Sequence, residues 1–486
     1  MESKNNKFQH EFDFEKEVYS SINSIKSLEE EAVYKTIMDG FSINNSIATS
    51  IKDENKGFII KFFLDGFTEE DNMKELDNFG IKERLILERN GCKYSINKNS
   101  TRKITTTFGD PKVITIEVNN FQSLEDDFFN DNLLRLIVPT SVEPDFDDFN
   151  CKSLHISGIT TFCGLIELKL NNKNYHIFKH RNDDTEENYF IIDSIEKNSF
   201  EEFKKNTSAI LLAFGFITGN LFQDEFYYQI IKEDYTTIAE ATAYFKKEPS
   251  IITDAGFLNP MEFKSYLEYL KKDELLEKIP LRLESHNFSK ICELVSRNLT
   301  LARSIKLLLE GNQTKLLLLR AGIYSIALET ITGFICEENE NKLKPIPNKE
   351  LSKKIIGKFK ETLEEYEGLI SDYGNEVLNK NISNINKPTN SKKLSKPFEL
   401  YNIRLSKSEL LILNHRNKFL HGTSPFNEEE LESKDKEIAY ISKKLLTLCN
   451  SLILKYCGYS GHMVDYGGYH QLNWEENRTE PLFKII

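Results

Sequence analysis

The chain has 486 residues, enough for roughly two to four domains with cores of their own. Charged residues make up 29% and hydrophobic residues 39%, the balance of a soluble globular protein and not of a disordered one. The net charge of −13 argues against a surface built for bulk nucleic-acid binding, so any contact with a polyanion must rest on local basic patches.

The seven cysteines are scattered, odd in number and without a C-x-x-C pair, which supports neither a zinc ribbon nor a disulfide framework. Reduced, mostly buried thiols in a cytoplasmic protein are the expectation. Met1 to Asp13 is polar and lacks the apolar core of a signal peptide. No run of 18 apolar residues occurs, so no membrane span is expected.

Residues 1–56 are polar and charged, with a helix expected near Phe14–Phe41. From Gly57 the texture changes to short apolar or alternating runs, among them Phe58–Leu64, Lys112–Val118, Leu133–Val138 and Leu165–Leu170. Asp65-Gly66, Gly109-Asp110, Asn171-Asn172 and Asp183-Asp184 punctuate them, as in a domain of many short strands. The acidic runs Glu125-Asp126-Asp127 and Asp145, Asp147, Asp148 lack the glycine and terminal glutamate of a calcium loop and read as solvated loops. His176 and His180 read as surface residues. A helix is expected at Phe200–Phe214, and a mixed connector follows to about Leu283. Within it Asn259-Pro260 opens a helix with Phe263, Tyr266, Leu267 and Leu270 on one face.

From His286 to about Tyr459 the texture is helical. Thr314–Cys336 is apolar almost all round, the mark of a helix buried on most faces. It contains Arg320, read as an edge or interface residue, and Glu329, which must reach solvent or find a cation because a lone buried carboxylate is costly. From Lys380 to Lys407 seven basic residues stand against one acid, Glu399. This stretch reads as a mobile loop. Either it gathers a phosphate backbone through residues such as Lys392, Lys393 and Lys396, or it is a solvated linker.

Ser406 and Glu409 have the spacing of a capping box. Leu410, Leu411, Leu413, Phe419 and Leu420 supply the apolar residues of the helix they open, and Gly422 and Pro425 supply its stop. The helix closes on His415-Arg416-Asn417-Lys418-Phe419-Leu420-His421-Gly422. A histidine exchanges protons near neutral pH, and a guanidinium stabilises charge building on phosphate oxygens. RNA brings its own nucleophile, the 2′-hydroxyl, so phosphodiester cleavage there requires no metal. Arg416 and His421 are separated by about 140° around a helix, so convergence on one phosphate calls for a bend at the helix end or a second subunit. On spacing alone a second reading stays open, in which the two residues merely complement the helix dipole.

A closing helix follows, with Asn427 and Glu430 as a capping box and Ile438, Ile441, Leu445, Leu448, Leu452 and Tyr456 at helical spacing. In the tail His462, Asp465 and His470 have mixed spacing and make a weak metal set; an ordered tail packing its aromatics, Trp474 included, is expected instead.

Arg416-Asn417-x-x-x-His421 resembles the R-x4-6-H motif of HEPN-domain ribonucleases. The order of long apolar helix, motif helix and long closing helix resembles the HEPN domain of ApeA-like anti-phage proteins, over roughly residues 290–460. The resemblance implies an α+β multidomain chain: a polar helical segment (1–56), a β-rich sensor domain (57–198), a connector (199–285), an all-α HEPN-type bundle (286–460) and a tail (461–486). It further implies a metal-independent endoribonuclease of anti-phage defence that uses no cofactor. His421 would move protons, Arg416 would stabilise the transition state, Asn417 would position one of them and Glu329 would pair with Arg416. Lys418, Lys392, Lys393 and Lys396 would contact RNA. The implied partners are RNA (tRNA by analogy), a phage-derived trigger and a second copy in a homodimer. A non-catalytic HEPN dimerisation or nucleic-acid-binding module is the alternative.

Overall fold

The computed structural model describes the chain except residues 1–17, 38–46, 54, 65–83, 108–111, 124–130, 157–158, 183–184, 232–236, 388–389, 422, 424–425, 427–433 and 475–479. Outside the described residues lie Glu125-Asp126-Asp127, Asp65-Gly66, Gly109-Asp110, Asp183-Asp184, Gly422, Pro425 and the Asn427/Glu430 capping box. Two compact units form, neither continuous in sequence: Met1–Asp254 with Arg282–Ser296, and Ala255–Leu281 with Arg297–Ile486. The sequence-based division at 285/286 differs from this, because 255–281 belongs to the second unit and 282–296 to the first.

The first unit is an antiparallel sheet. Its strands are β1 (Ala32–Ile37), β2 (Ile47–Asp53), β3 (Gly57–Leu64), β4 (Arg84–Arg89), β5 (Cys92–Asn97), β6 (Thr101–Thr107), β7 (Lys112–Val118) and β8 (Asn120–Ser123). Then come β9 (Leu133–Thr140), β10 (Lys152–Ile156), β11 (Ile159–Leu170), β12 (Lys173–Asn182) and β13 (Glu187–Ser194). After the short β14 (Asn220–Leu221), β15 (Glu225–Ile231) and β16 (Thr237–Lys246) complete it. The spatial order is β10-β11-β12-β13-β9-β15-β16-β8-β5-β4-β1-β2-β3-β7-β6.

Three expectations for this unit need correction. The helix at Phe14–Phe41 is described only over 18–29 (α1), and the chain then enters the sheet as β1. Val18, Ile22, Ile25 and Leu28 of α1 are buried with Tyr34, Phe58, Ile60 and Tyr94 in one core, so the described part of 1–56 packs on the sheet. A buried fork fixes that packing: Arg135 on β9 donates Nε and Nη2 to the two Asp193 oxygens, each at 2.7 Å, and Nη1 to Ser21 Oγ of α1 at 2.9 Å. The acidic loop at Asp145–Asp148 is not wholly solvated either. Asp148 is buried, and burial, reinforced by Asp145 and Asp147 against Arg282, pushes its carboxyl up to about 8. His176 and His180 are half-buried on β12, and burial lowers the pKa of His176.

Helix α2 (Phe200–Thr218) starts on Ser199, whose side chain accepts from Glu202 N, and ends on Gly219 at φ 83. Gly215 lies so close to Leu221 that a Cβ there would come within 2.9 Å of the leucine Cβ.

The second unit is helical: α3 (Pro260–Tyr269), α5 (Leu299–Gln313), α6 (Leu317–Glu338), α7 (Lys349–Glu365), α8 (Asp372–Ser383), α9 (Asn390–Leu400), α10 (Lys407–Leu420), α11 (Asp435–Tyr456) and α12 (Tyr466–Trp474), while α4 (Ser285–Arg297) falls almost wholly in the first unit. Asn259 caps α3 by accepting from Glu262 N, with Pro260 just inside. Helix α6 is the core element, packed by α5, α10 and α11. Among the described residues it is the helix long and apolar enough to cross a membrane, and half of its apolar window is buried inside the protein. The basic stretch 380–407 is not a loop: it carries the end of α8 and all of α9, whose Leu394 and Phe398 are buried. In the tail His462–Val464 pairs with Phe483–Ile485, and Tyr466–Trp474 is helical.

Candidate catalytic site on the motif helix

Helix α10 begins with both halves of a capping box. Ser406 Oγ accepts from Glu409 N at 3.1 Å, and Glu409 Oε2 accepts from Ser406 N at 2.8 Å. The inward face carries Glu409, Ile412, Leu413, Arg416 and Phe419, the spacing of one helical stripe. Leu410 and Leu411, read from sequence as part of the apolar face, are instead exposed.

Arg416 therefore sits at a core position with 4% of its side chain exposed. Its charge finds a partner one helix away, where Nη1 donates to Glu329 Oε2 of α6 at 3.0 Å. The sequence reading held that Glu329 either reaches solvent or finds a cation, with Arg416 as the partner named. It does both: the Glu329 side chain is 57% exposed, and the buried member of the pair is Arg416. Close approach of the two helices helps, since a Cβ at Gly322 of α6 would lie 3.5 Å from the Phe419 carbonyl oxygen. Arg416 Nε is buried without a hydrogen-bond partner among the described residues, so the guanidinium keeps an unspent donor.

His421 is the C-cap, with φ −91 and ψ 12, and its side chain is exposed. Its backbone N–H reaches the Asn417 and Lys418 carbonyls at 3.3 and 3.1 Å. Asn417 and Lys418 are exposed on the outer face of the helix. Among the described residues no hydrogen bond or ion pair joins Arg416 to His421. The structure thus brings Arg416 and Glu329 together and leaves His421 and Asn417 at the solvent. Comparison with family models, with curated proteins and with solved structures finds no match for this chain.

The other named residues fall elsewhere. On α9, Lys392 is exposed, Lys393 is half-buried with its carbonyl accepting from Cys336 Sγ at 3.3 Å, and Lys396 pairs with Glu399. Arg320 donates Nε to the Thr314 carbonyl at 2.9 Å, closing the α5–α6 link. His462 stacks flat on Phe263 with ring centroids 3.8 Å apart, Asp465 accepts from Lys444, and His470 faces the Lys436 carbonyl, so the three do not form a metal set.

Two features escaped the sequence reading. His415, beside Arg416, is half-buried with Nδ1 unpartnered among the described residues, and burial followed by the Lys418 charge lowers its pKa. Lys444 of α11 is 1% exposed and donates at 2.7 Å to both Asp465 and Glu480, while Lys484 donates to Glu409 at 2.6 Å. The tail thereby grips the first turn of the motif helix. In the first unit Ser95, Asn97, Asn120, Gln122, Lys204 and Phe245 are among the residues lining a polar cavity of about 680 Å³.

Proposed function

We propose that the chain is a metal-independent endoribonuclease of HEPN type, acting in the cytoplasm in anti-phage defence. The observation that carries this reading is the state of Arg416. It lies on α10, the helix that ends at an exposed His421, is held by Glu329 of the neighbouring α6, and keeps a buried Nε without a partner among the described residues. In this reading His421 takes the proton of the 2′-hydroxyl or supplies one to the leaving 5′-oxygen. Arg416 stabilises the charge gathering on the phosphorane-like transition state, and Asn417 positions one of these groups. The products end in a 2′,3′-cyclic phosphate. Lys418, Lys392, Lys393 and Lys396 contribute backbone contacts that attract RNA without reading its sequence. Because Arg416 and His421 face different directions, two copies combine their motifs into a working centre. RNA is the substrate, tRNA by analogy, and a phage-derived trigger lifts the restraint.

The test is chemical. RNA methylated at every 2′-oxygen should resist the protein while unmodified RNA of the same sequence is cut. Equal cutting of both would remove 2′-hydroxyl attack from the account.

The depth of Arg416 favours a second reading, in which the Arg416–Glu329 pair only locks α10 to α6 in a non-catalytic module that dimerises or binds nucleic acid. That module would bind both RNAs and cut neither.

A further inference from the structure

Helices α7 and α8, joined through Glu367–Leu369, form an arm with little core of its own. Ser352 is the one buried residue of α7, and α8 has none. Leu351, Ile355, Phe359 and the C-cap Tyr366 lie within about 80° of one another around α7. Leu351, Phe359 and Tyr366 are 49%, 48% and 54% exposed, and Leu369 and Tyr373 at the tip are 85% and 79% exposed. Leaving a run of large apolar side chains in water is unfavourable and marks an interaction surface.

The charges of α7 indicate what covers it. After Glu350 in its first turn, the helix carries Lys353, Lys354, Lys358 and Lys360 and then Glu361, Glu364 and Glu365, so its C-terminal end holds the sign of charge that a helix dipole disfavours. Along one flank of the apolar stripe Lys354 and Lys358 repel at i,i+4, as do Glu361 and Glu365. A second α7 running antiparallel across a two-fold axis near Phe359 turns both penalties into attractions. It sets Lys354 and Lys358 beside Glu365 and Glu361 of the other copy and stacks the two apolar stripes. A parallel copy would set this charged flank against the opposite flank of its partner, which carries Ser352, Ile356 and Leu363, and would leave both penalties in place. We propose that α7 is a homotypic docking surface, on which a second copy of this chain packs antiparallel about Phe359. This inference stands independently of the nuclease reading.

The test is sedimentation of the full chain over a concentration series, with circular dichroism to confirm that each variant is folded. Phe359→Asp should halve the assembled mass, and Lys354→Glu with Lys358→Glu should weaken association by more than about tenfold. Adding Glu361→Lys and Glu365→Lys to the latter should restore it, because the swapped pairs again attract. In Phe359→Cys, oxidation should yield a 359–359 disulfide by mass spectrometry. A wild type that stays monomeric, an assembly indifferent to Phe359→Asp, or a four-charge swap that fails to recover association would each overturn the proposal.

Discussion

Arg416 donates Nη1 to Glu329 Oε2 at 3.0 Å across the α6–α10 contact, with the cation buried and the anion more than half exposed. That asymmetry decides what breaking the pair does. Glu329→Gln leaves a guanidinium inside with a weaker acceptor, whereas the freed glutamine faces water. Denaturant unfolding should show a loss of about 1–2 kcal/mol, below the usual figure for a buried pair because solvent screens the glutamate side. Arg416→Lys should lose about as much, since an ammonium is more strongly hydrated than a guanidinium and is costlier to bury at that position.

The tail network is a stronger stability element. Burial alone would pull the Lys444 ammonium toward neutrality, but Asp465, Glu480 and Glu409 outweigh it and hold its pKa above the ordinary lysine value. Lys444→Met strands carboxylates that face one another. Unfolding in denaturant should record a loss of about 3–5 kcal/mol. If the variant is as stable as wild type, the network is not holding the tail.

Parts of this architecture were legible in the sequence because they are local. Ser406 with Glu409 and Asn259 with Pro260 name their helix starts within four residues, and the all-round apolarity of Thr314–Cys336 marks the central helix. What could not be read depends on distant partners. Ala32–Ile37 looked like the tail of a polar helix because its strand character comes from pairing with Ile47–Asp53 and Arg84–Arg89. The stretch 380–407 looked like a loop because Asn, Ser and Lys are poor signals, although Leu394 and Phe398 anchor a helix there. Lys444 meets Asp465 and Glu480 at separations of 21 and 36 residues, which no local pattern reveals.

His462 imposes a pH dependence on the second unit. Burial lowers its pKa from the ordinary 6.5 to about 4, against the opposing effect of the Pro280 carbonyl. Between those values the unfolded chain binds a proton that the folded chain refuses, so stability rises with pH through this window and falls as the pH drops from 6.5 toward 4. The full effect is on the order of 3 kcal/mol. His462→Phe, which keeps the stack on Phe263, should flatten the acid limb of the stability profile. An unchanged acid limb would acquit His462.

The Arg135–Asp193 fork makes a parallel prediction for the first unit. Asp193→Asn leaves a fully buried guanidinium without its counter-charge and should cost about 3–5 kcal/mol. Because Arg135 also donates to Ser21, hydrogen exchange should rise first in 18–29. Uniform loss of protection across the sheet instead would show that α1 is not held by this fork.

The central claim is that Arg416 and His421 cleave RNA without a metal. Its most direct test is RNA cleavage by the purified full chain in EDTA, with wild type beside His421→Ala and Arg416→Ala, each confirmed folded and of wild-type mass, and the product ends mapped. The account predicts cleavage that survives chelation, leaves 2′,3′-cyclic phosphates and disappears in both variants. Cleavage that persists in the His421 variant, or that requires a divalent cation, would contradict it.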